Sequence, residues 1–105
     1  MLNIDHTGQA GHHVIAAAGE VDLYTSPELR TALMKVIGKR GCESVAVNLG
    51  QVSYMDSSGV ATLVEGLKTA NKHKVAFSLA APSDAVMKVL ELARLDTVFE
   101  VQAAD

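Results

Sequence analysis

The sequence predicts an α/β fold: a mixed β-sheet with a parallel core and an N-terminal antiparallel hairpin, covered by about three to four helices. Three observations carry this. Short β-branched apolar runs alternate with stretches whose apolar residues recur at helical spacing. A strand, a helix and a further strand in succession pair in parallel through a right-handed crossover. The first two strand-like runs are joined by Gly8-Gln9-Ala10-Gly11, a short turn that makes them a hairpin. The 105 residues suffice for one domain with its own core, residues 1–105.

Residues 2–7 read as the first strand, with Leu2, Ile4 and His6 on one face, and residues 12–18 as the second, ended by Gly19. Residues 20–24 read as a loop. Thr25-Ser26-Pro27-Glu28 holds two compatible helix starts. Either Ser26 caps with Pro27 in the first helical position, or Thr25 and Glu28 form a capping box. Leu29, Leu33, Val36 and Ile37 lay this first helix on the sheet, and Gly38 and Gly41 mark its exit. Residues 44–49 (SVAVNL) alternate as a central strand does; Gly50-Gln51 then reads as a turn and residues 52–55 as a short, edge-like extended segment. A second helix over residues 57–72 buries Val60, Leu63, Val64, Leu67 and Ala70. Residues 74–79 form another strand. Ser83, after Pro82, caps a third helix whose inner face is Val86, Val89, Leu90 and Ala93, and residues 98–101 close the chain as a last strand. Three helices are few enough to cover one face of the sheet only.

Composition narrows the function classes. Apolar residues make up 49% and charged residues 20%, ordinary for a globular protein, and the net charge of −3 argues against direct nucleic-acid binding, which favours a basic stripe. The cations that do cluster, Lys35 with Lys39 and Arg40 and Lys68 with Lys72 and Lys74, fall at helix ends, where they complement the dipole. Cys42 is the single cysteine, so no intrachain disulfide forms and a reducing compartment fits. The first residues lack the pattern of a signal peptide, and the longest apolar run, residues 14–18, is far too short to span a bilayer. The expectation is a cytoplasmic protein without membrane insertion.

The usual catalytic constellations fit poorly. His12 and His13 are adjacent on a strand and point to opposite faces, so they do not chelate one metal, and no cofactor is expected. Ser57 and Ser58 lack the Gly-x-Ser-x-Gly elbow of an acyl nucleophile, and Gly38-Lys39-Arg40-Gly41 follows a helix instead of opening one, unlike a phosphate-binding loop. The positive signal is Asp56-Ser57-Ser58-Gly59, which sits between a strand and a helix. Asp and Ser are the residues that cap helices. They also stand where the carboxyl ends of parallel strands meet ligands and partners. Residues 19–22 follow a strand and precede a helix in the same way, so the two loops are expected to form one surface.

Gly19-Glu20-x-Asp22 with Thr25 and Leu29, then Asn48-Leu49 through Asp56-Ser57-Ser58-Gly59-Val60, then residues 90–99 (LELARLDTVF), recur in order along nearly the whole chain. In this combination the sequence resembles the STAS family, specifically the bacterial anti-sigma-factor antagonists. The resemblance implies a STAS-like fold, no enzymatic activity, and binding to an anti-sigma factor that is itself a serine kinase of the ATP-binding, histidine-kinase-like type. It implies that Ser57, directly after the Asp, is the phosphate acceptor, that a PP2C-type serine phosphatase reverses the modification, and that Asp22, Thr25, Asp56, Ser57, Ser58 and Gly59 form the partner-binding surface. Family members without the acceptor serine serve elsewhere, so a second reading is an accessory subunit of an ABC-type lipid or anion transporter; the retained Ser57 favours the switch. A third, an enzyme using Asp56 and a serine, lacks a positioned base.

Physics fits the implied switch. A phosphate brings roughly −1.5 to −2 charges. Free amides and the dipole at a helix N-terminus are expected to receive it, with Asp56 repelling it from next door. A partner packed on the neutral hydroxyl would then face an uncompensated charge, on the order of 2–5 kcal/mol against binding.

Overall fold

The structure is a computed structural model and describes residues 1–103. Its elements are β1 (Leu2–Gln9), β2 (His12–Val21), α1 (Ser26–Ile37), β3 (Ser44–Met55), α2 (Ser57–Lys72), β4 (Ala76–Ala80), α3 (Asp84–Leu92) and β5 (Glu100–Gln102). The five strands lie in the order β1-β2-β3-β4-β5. β1 is antiparallel to β2 and every other neighbour is parallel, the mixed sheet that the hairpin and the crossovers predict.

The hairpin is longer than expected. Gln9 pairs with His12, so only Ala10 and Gly11 turn, with φ of 52° and 85°. Two successive positive φ values are those of the two-residue turn whose twist matches the flanking strands, and glycine takes the second without strain.

The largest departures lie in β2 and β3. Residues 20–21 are strand, not loop, and Gly50-Gln51 is not a turn: β3 runs unbroken to Met55. The register slips between Ala16 and Ala18 and again between Gly19 and Glu20, each time giving β3 one residue more than β2. These bulges reset the alternation. Val45, Val47 and Leu49 point into the core; so do Val52 and Met55, while Gln51, Ser53 and Tyr54 are exposed. A strict period of two would have buried Gln51 and exposed Val52, which is why that stretch reads as a turn in the sequence.

The helices pack as their spacing requires. Leu29, Leu33, Val36 and Ile37 of α1, Val60, Leu63 and Ala70 of α2, and Val86 and Leu90 of α3 join Ile15, Val47, Phe77 and Leu79 of the sheet in one buried cluster. Each large side chain fully withdrawn from water contributes about 1.5–3 kcal/mol. Val64, Leu67 and Val89 are only half-buried and Ala93 is exposed, because Ala93 is already the residue that ends α3. On the sheet's other face Val14 is 39% exposed and Ala16, Ala46 and Asn48 are half-buried, so the helices cover one face, as expected.

Ser83 caps α3, its hydroxyl accepting from the Val86 amide. Neither predicted start of α1 forms. Thr25 is the N-cap residue, but its side chain turns back toward the preceding loop, and Ser26 is buried.

Candidate functional site

The carboxyl ends of β2 and β3 lie side by side, Val21 opposite Met55. One residue further, the Asp56 amide donates to the Val21 carbonyl at 3.1 Å. The loops after the two strands therefore share a base, as the sequence leads one to expect.

The first loop is a closed knot. Asp22 Oδ1 accepts from the amides of Tyr24 (2.9 Å) and Thr25 (3.0 Å), the turn that a short Asp side chain makes with backbone two and three residues on. Thr25 Oγ1 accepts from the Asp22 amide at 2.9 Å and donates to the Glu20 carbonyl at 2.8 Å. This explains the missing cap: the hydroxyl is committed to the loop. The Thr25 amide first, then the Tyr24 amide and the Thr25 hydroxyl, hold the Asp22 carboxyl below its ordinary range against a smaller opposing effect of burial.

The second loop opens α2. Asp56 is its N-cap, extended in backbone, with Oδ1 accepting from the amides of Ser58 (2.9 Å) and Gly59 (3.4 Å), while its carbonyl accepts from Gly59 and Val60. Here the structure changes one expectation. The amides of Ser58, Gly59 and Val60 already have Asp56 as partner, so they are not open to receive a phosphate. Ser57 is exposed at the first position of the helix, and among the described residues nothing holds its hydroxyl. Ser58 is half-buried, and its carbonyl accepts from Thr62 Oγ1 at 3.0 Å. Gly59 is buried against β2 and β3; a Cβ there would stand 2.6 Å from Met55 Cγ and 2.8 Å from Val21 Cγ1.

So the six residues singled out in the sequence fall on one lip with different duties. Asp22, Thr25 and Asp56 hold backbone, Gly59 permits close packing, and Ser57 is left facing outward. Sequence reasoning missed the apolar groups flanking them. Leu23 is 67%, Tyr24 85% and Tyr54 49% exposed. Apolar residues between Asp22 and Thr25 were a legible signal in a loop; Tyr54 was not, because its exposure follows from the second bulge.

The histidines stand elsewhere than the lip. His6 bonds to His13, His12 to Ser44 and His73 to the carbonyl of Thr69, all on other parts of the fold. Both Asp side chains spend an oxygen on backbone amides. Among the described residues no three potential ligands gather around a metal position. No helix there is long and apolar enough to cross a membrane.

Comparison with known proteins agrees with the fold. An anti-sigma-B factor antagonist of Staphylococcus aureus is 34% identical over 100 residues, covering 95% of this chain and 92% of its own. The fold superposes on the crystal structure of an anti-sigma factor antagonist from Mycobacterium paratuberculosis with a TM-score of 0.88 at 22% identity, over 99% of this chain and 87% of that one. It also superposes on the Bacillus cell fate determinant SpoIIAA in its phosphorylated form, with a TM-score of 0.76 at 21% identity, over 100% of this chain and 92% of that one. The family model of the STAS domain matches residues 3–104, and the chain belongs to the STAS domain family.

Proposed function

We propose that this protein is an anti-sigma-factor antagonist, a non-enzymatic binding module whose docking surface is switched by phosphorylation of Ser57. The observation that carries this reading is the exposed, unengaged Ser57 hydroxyl at the start of a helix whose next three amides are already satisfied. A phosphate there gains little from the helix and changes little in the fold. It stands outward as charge on the lip whose first loop exposes Leu23 and Tyr24. Aromatic and apolar anchors of that kind carry binding energy once a partner covers them. A dianion on the same lip is desolvated without compensation when the partner closes, and binding is lost.

The partner is an anti-sigma factor with serine-kinase activity of the ATP-binding, histidine-kinase-like type, and a PP2C-type phosphatase restores the hydroxyl. Asp22, Thr25, Asp56, Ser57, Ser58 and Gly59 frame the contact, and the setting is the cytoplasm. The name of the Staphylococcus aureus relative and the phosphorylated state of the SpoIIAA neighbour support this reading.

The test is intact mass after incubation with the host's kinase and ATP, with calorimetry of the same pair. One added phosphate, absent in Ser57→Ala, with Ser57→Ala still binding and Ser57→Asp binding at least roughly tenfold more weakly, is the expected result. Phosphate on another residue, or equal binding by Ser57→Asp and the parent, overturns the switch.

A further inference from the structure

Among the described residues β1 closes one edge of the sheet, with β2 on one side and no strand on the other. Proteins usually blunt such an edge with a bulge, a proline or a very short strand. β1 has none of these: its eight residues pair with β2 in unbroken register from Leu2 to Gln9. Beside it, between β1 and α1, runs a groove of about 390 Å³. Ile4, Ala32 and Val36 give it apolar surface, and Lys35 and Lys39 give it cations, against one carboxylate, Glu28. Among the described residues neither lysine has a salt-bridge partner; the ion pair joins Arg30 to Glu65 instead. In a chain of net charge −3 this is a local excess of positive charge.

We propose that the free edge of β1 and the groove beside it receive an extended segment of a partner protein, which adds as a sixth strand and places apolar and carboxylate side chains in the groove. Backbone pairing along β1 supplies affinity and the alternate side chains supply selectivity. Apolar groups of the segment cover Ile4, Ala32 and Val36; acidic groups meet Lys35 and Lys39. The same charges argue against a second copy of this chain. The groove side of β1 carries Leu2, Ile4, His6 and Gly8, while Asp5 points to the opposite face, so self-pairing would bring His6 and no carboxylate toward the lysines. His6 reports on the occupant. Its Nε2 faces His13 Nδ1 at 2.9 Å, and burial, then His13, Lys39 and Lys35, hold its pKa below the ordinary histidine value. A carboxylate in the groove reverses part of that effect. This inference rests on the free edge of β1 and the groove beside it and makes no use of Ser57, so it stands apart from the proposed switch.

The test titrates the isotope-labelled full chain by NMR with a synthetic octapeptide in which threonine alternates with two valines and two glutamates. The expected result is amide shifts confined to β1 and α1 and a raised His6 titration midpoint. Binding should weaken roughly tenfold in Lys35→Glu/Lys39→Glu, with the difference shrinking in high salt. Binding should be lost when alternate peptide amides are N-methylated. Absence of shifts on β1 overturns the proposal. So do unchanged binding by the N-methylated peptide, the same response to glutarate alone, and a concentration-dependent dimer of the free chain that pairs through β1.

Discussion

The Asp56 amide donates to the Val21 carbonyl at 3.1 Å, and this one bond ties the end of β2 to the start of α2. Through it the Asp22–Thr25 knot and the Asp56 cap share a foundation. Ser57 is the next residue, so its hydroxyl is presented by a frame already hydrogen-bonded on both sides. Ser57 is exposed there, at the first position of α2.

Asp56 has two duties that substitution separates. Asp56→Ala removes the side-chain acceptor of the Ser58 and Gly59 amides and should lower stability by about 1 kcal/mol. Asp56→Asn keeps an oxygen at that place and should stay within about 0.5 kcal/mol of the parent, since Asn and Asp cap about equally well. Urea denaturation reads both. With the cap intact in Asp56→Asn, weaker binding of the anti-sigma factor by calorimetry assigns the carboxylate charge to the interface. Unchanged binding assigns Asp56 to the fold alone.

Gly59→Ala tests the packing beneath the lip. The added methyl meets Met55 Cγ at 2.6 Å and Val21 Cγ1 at 2.8 Å. Overpacking of this kind costs about 1–3 kcal/mol. Alanine's better helix propensity returns at most about 1 kcal/mol, so the net change is destabilising. Combining it with Val21→Ala, which removes one of the two clashing groups, should destabilise by less than the sum of the single substitutions, a coupling that denaturation of the four-member cycle measures.

These particulars show where the sequence was legible. Val45, Val47 and Leu49 alternate cleanly and mark a central strand; Leu29, Leu33, Val36 and Ile37 mark a helix face; both occur where expected. Ser83 announced its own cap. What failed were features decided by a neighbouring chain segment. The bulges in β3 exist because β2 continues beside it to Val21, and nothing local to Gly50-Gln51 states that. Thr25 carries the residue type of a cap, yet its hydroxyl goes to Glu20 and Asp22, a competition that only the folded loop settles. For the lip, residue types and their adjacency were readable; which amides remained free was not, because that depends on the rotamer of Asp56.

The Asp22 knot has a pH signature. Its carboxylate is held by the Thr25 amide first, then the Tyr24 amide, so its folded pKa lies below the unfolded value. A depressed carboxylate contributes stability above the unfolded pKa, near 3.8, and that contribution is lost as pH falls through the lower folded value. Carbon-detected NMR should find Asp22 titrating below an ordinary aspartate. Thr25→Val removes the hydroxyl while keeping the amide, so the midpoint should rise only part of the way. A midpoint at the ordinary value in the parent would mean that the knot is open in solution.

His6 follows the same linkage. Burial, then His13, Lys39 and Lys35, disfavour its cation, so its folded pKa lies below 6.5. The neutral ring is the form that the fold favours, with its Nε2 2.9 Å from His13 Nδ1. The resulting stability is present above the unfolded pKa and is lost as pH falls through the folded one, because the unfolded chain then binds the extra proton more readily. Thermal denaturation between neutral and mildly acid pH should therefore show a falling midpoint in the parent. His13→Ala removes the second of the four causes and leaves burial and the lysines, so the fall should become shallower and the His6 midpoint should move up without reaching the ordinary value. Lys35→Gln/Lys39→Gln should shift it further in the same direction, whereas Lys72→Gln, at the far helix end, should leave it where it was.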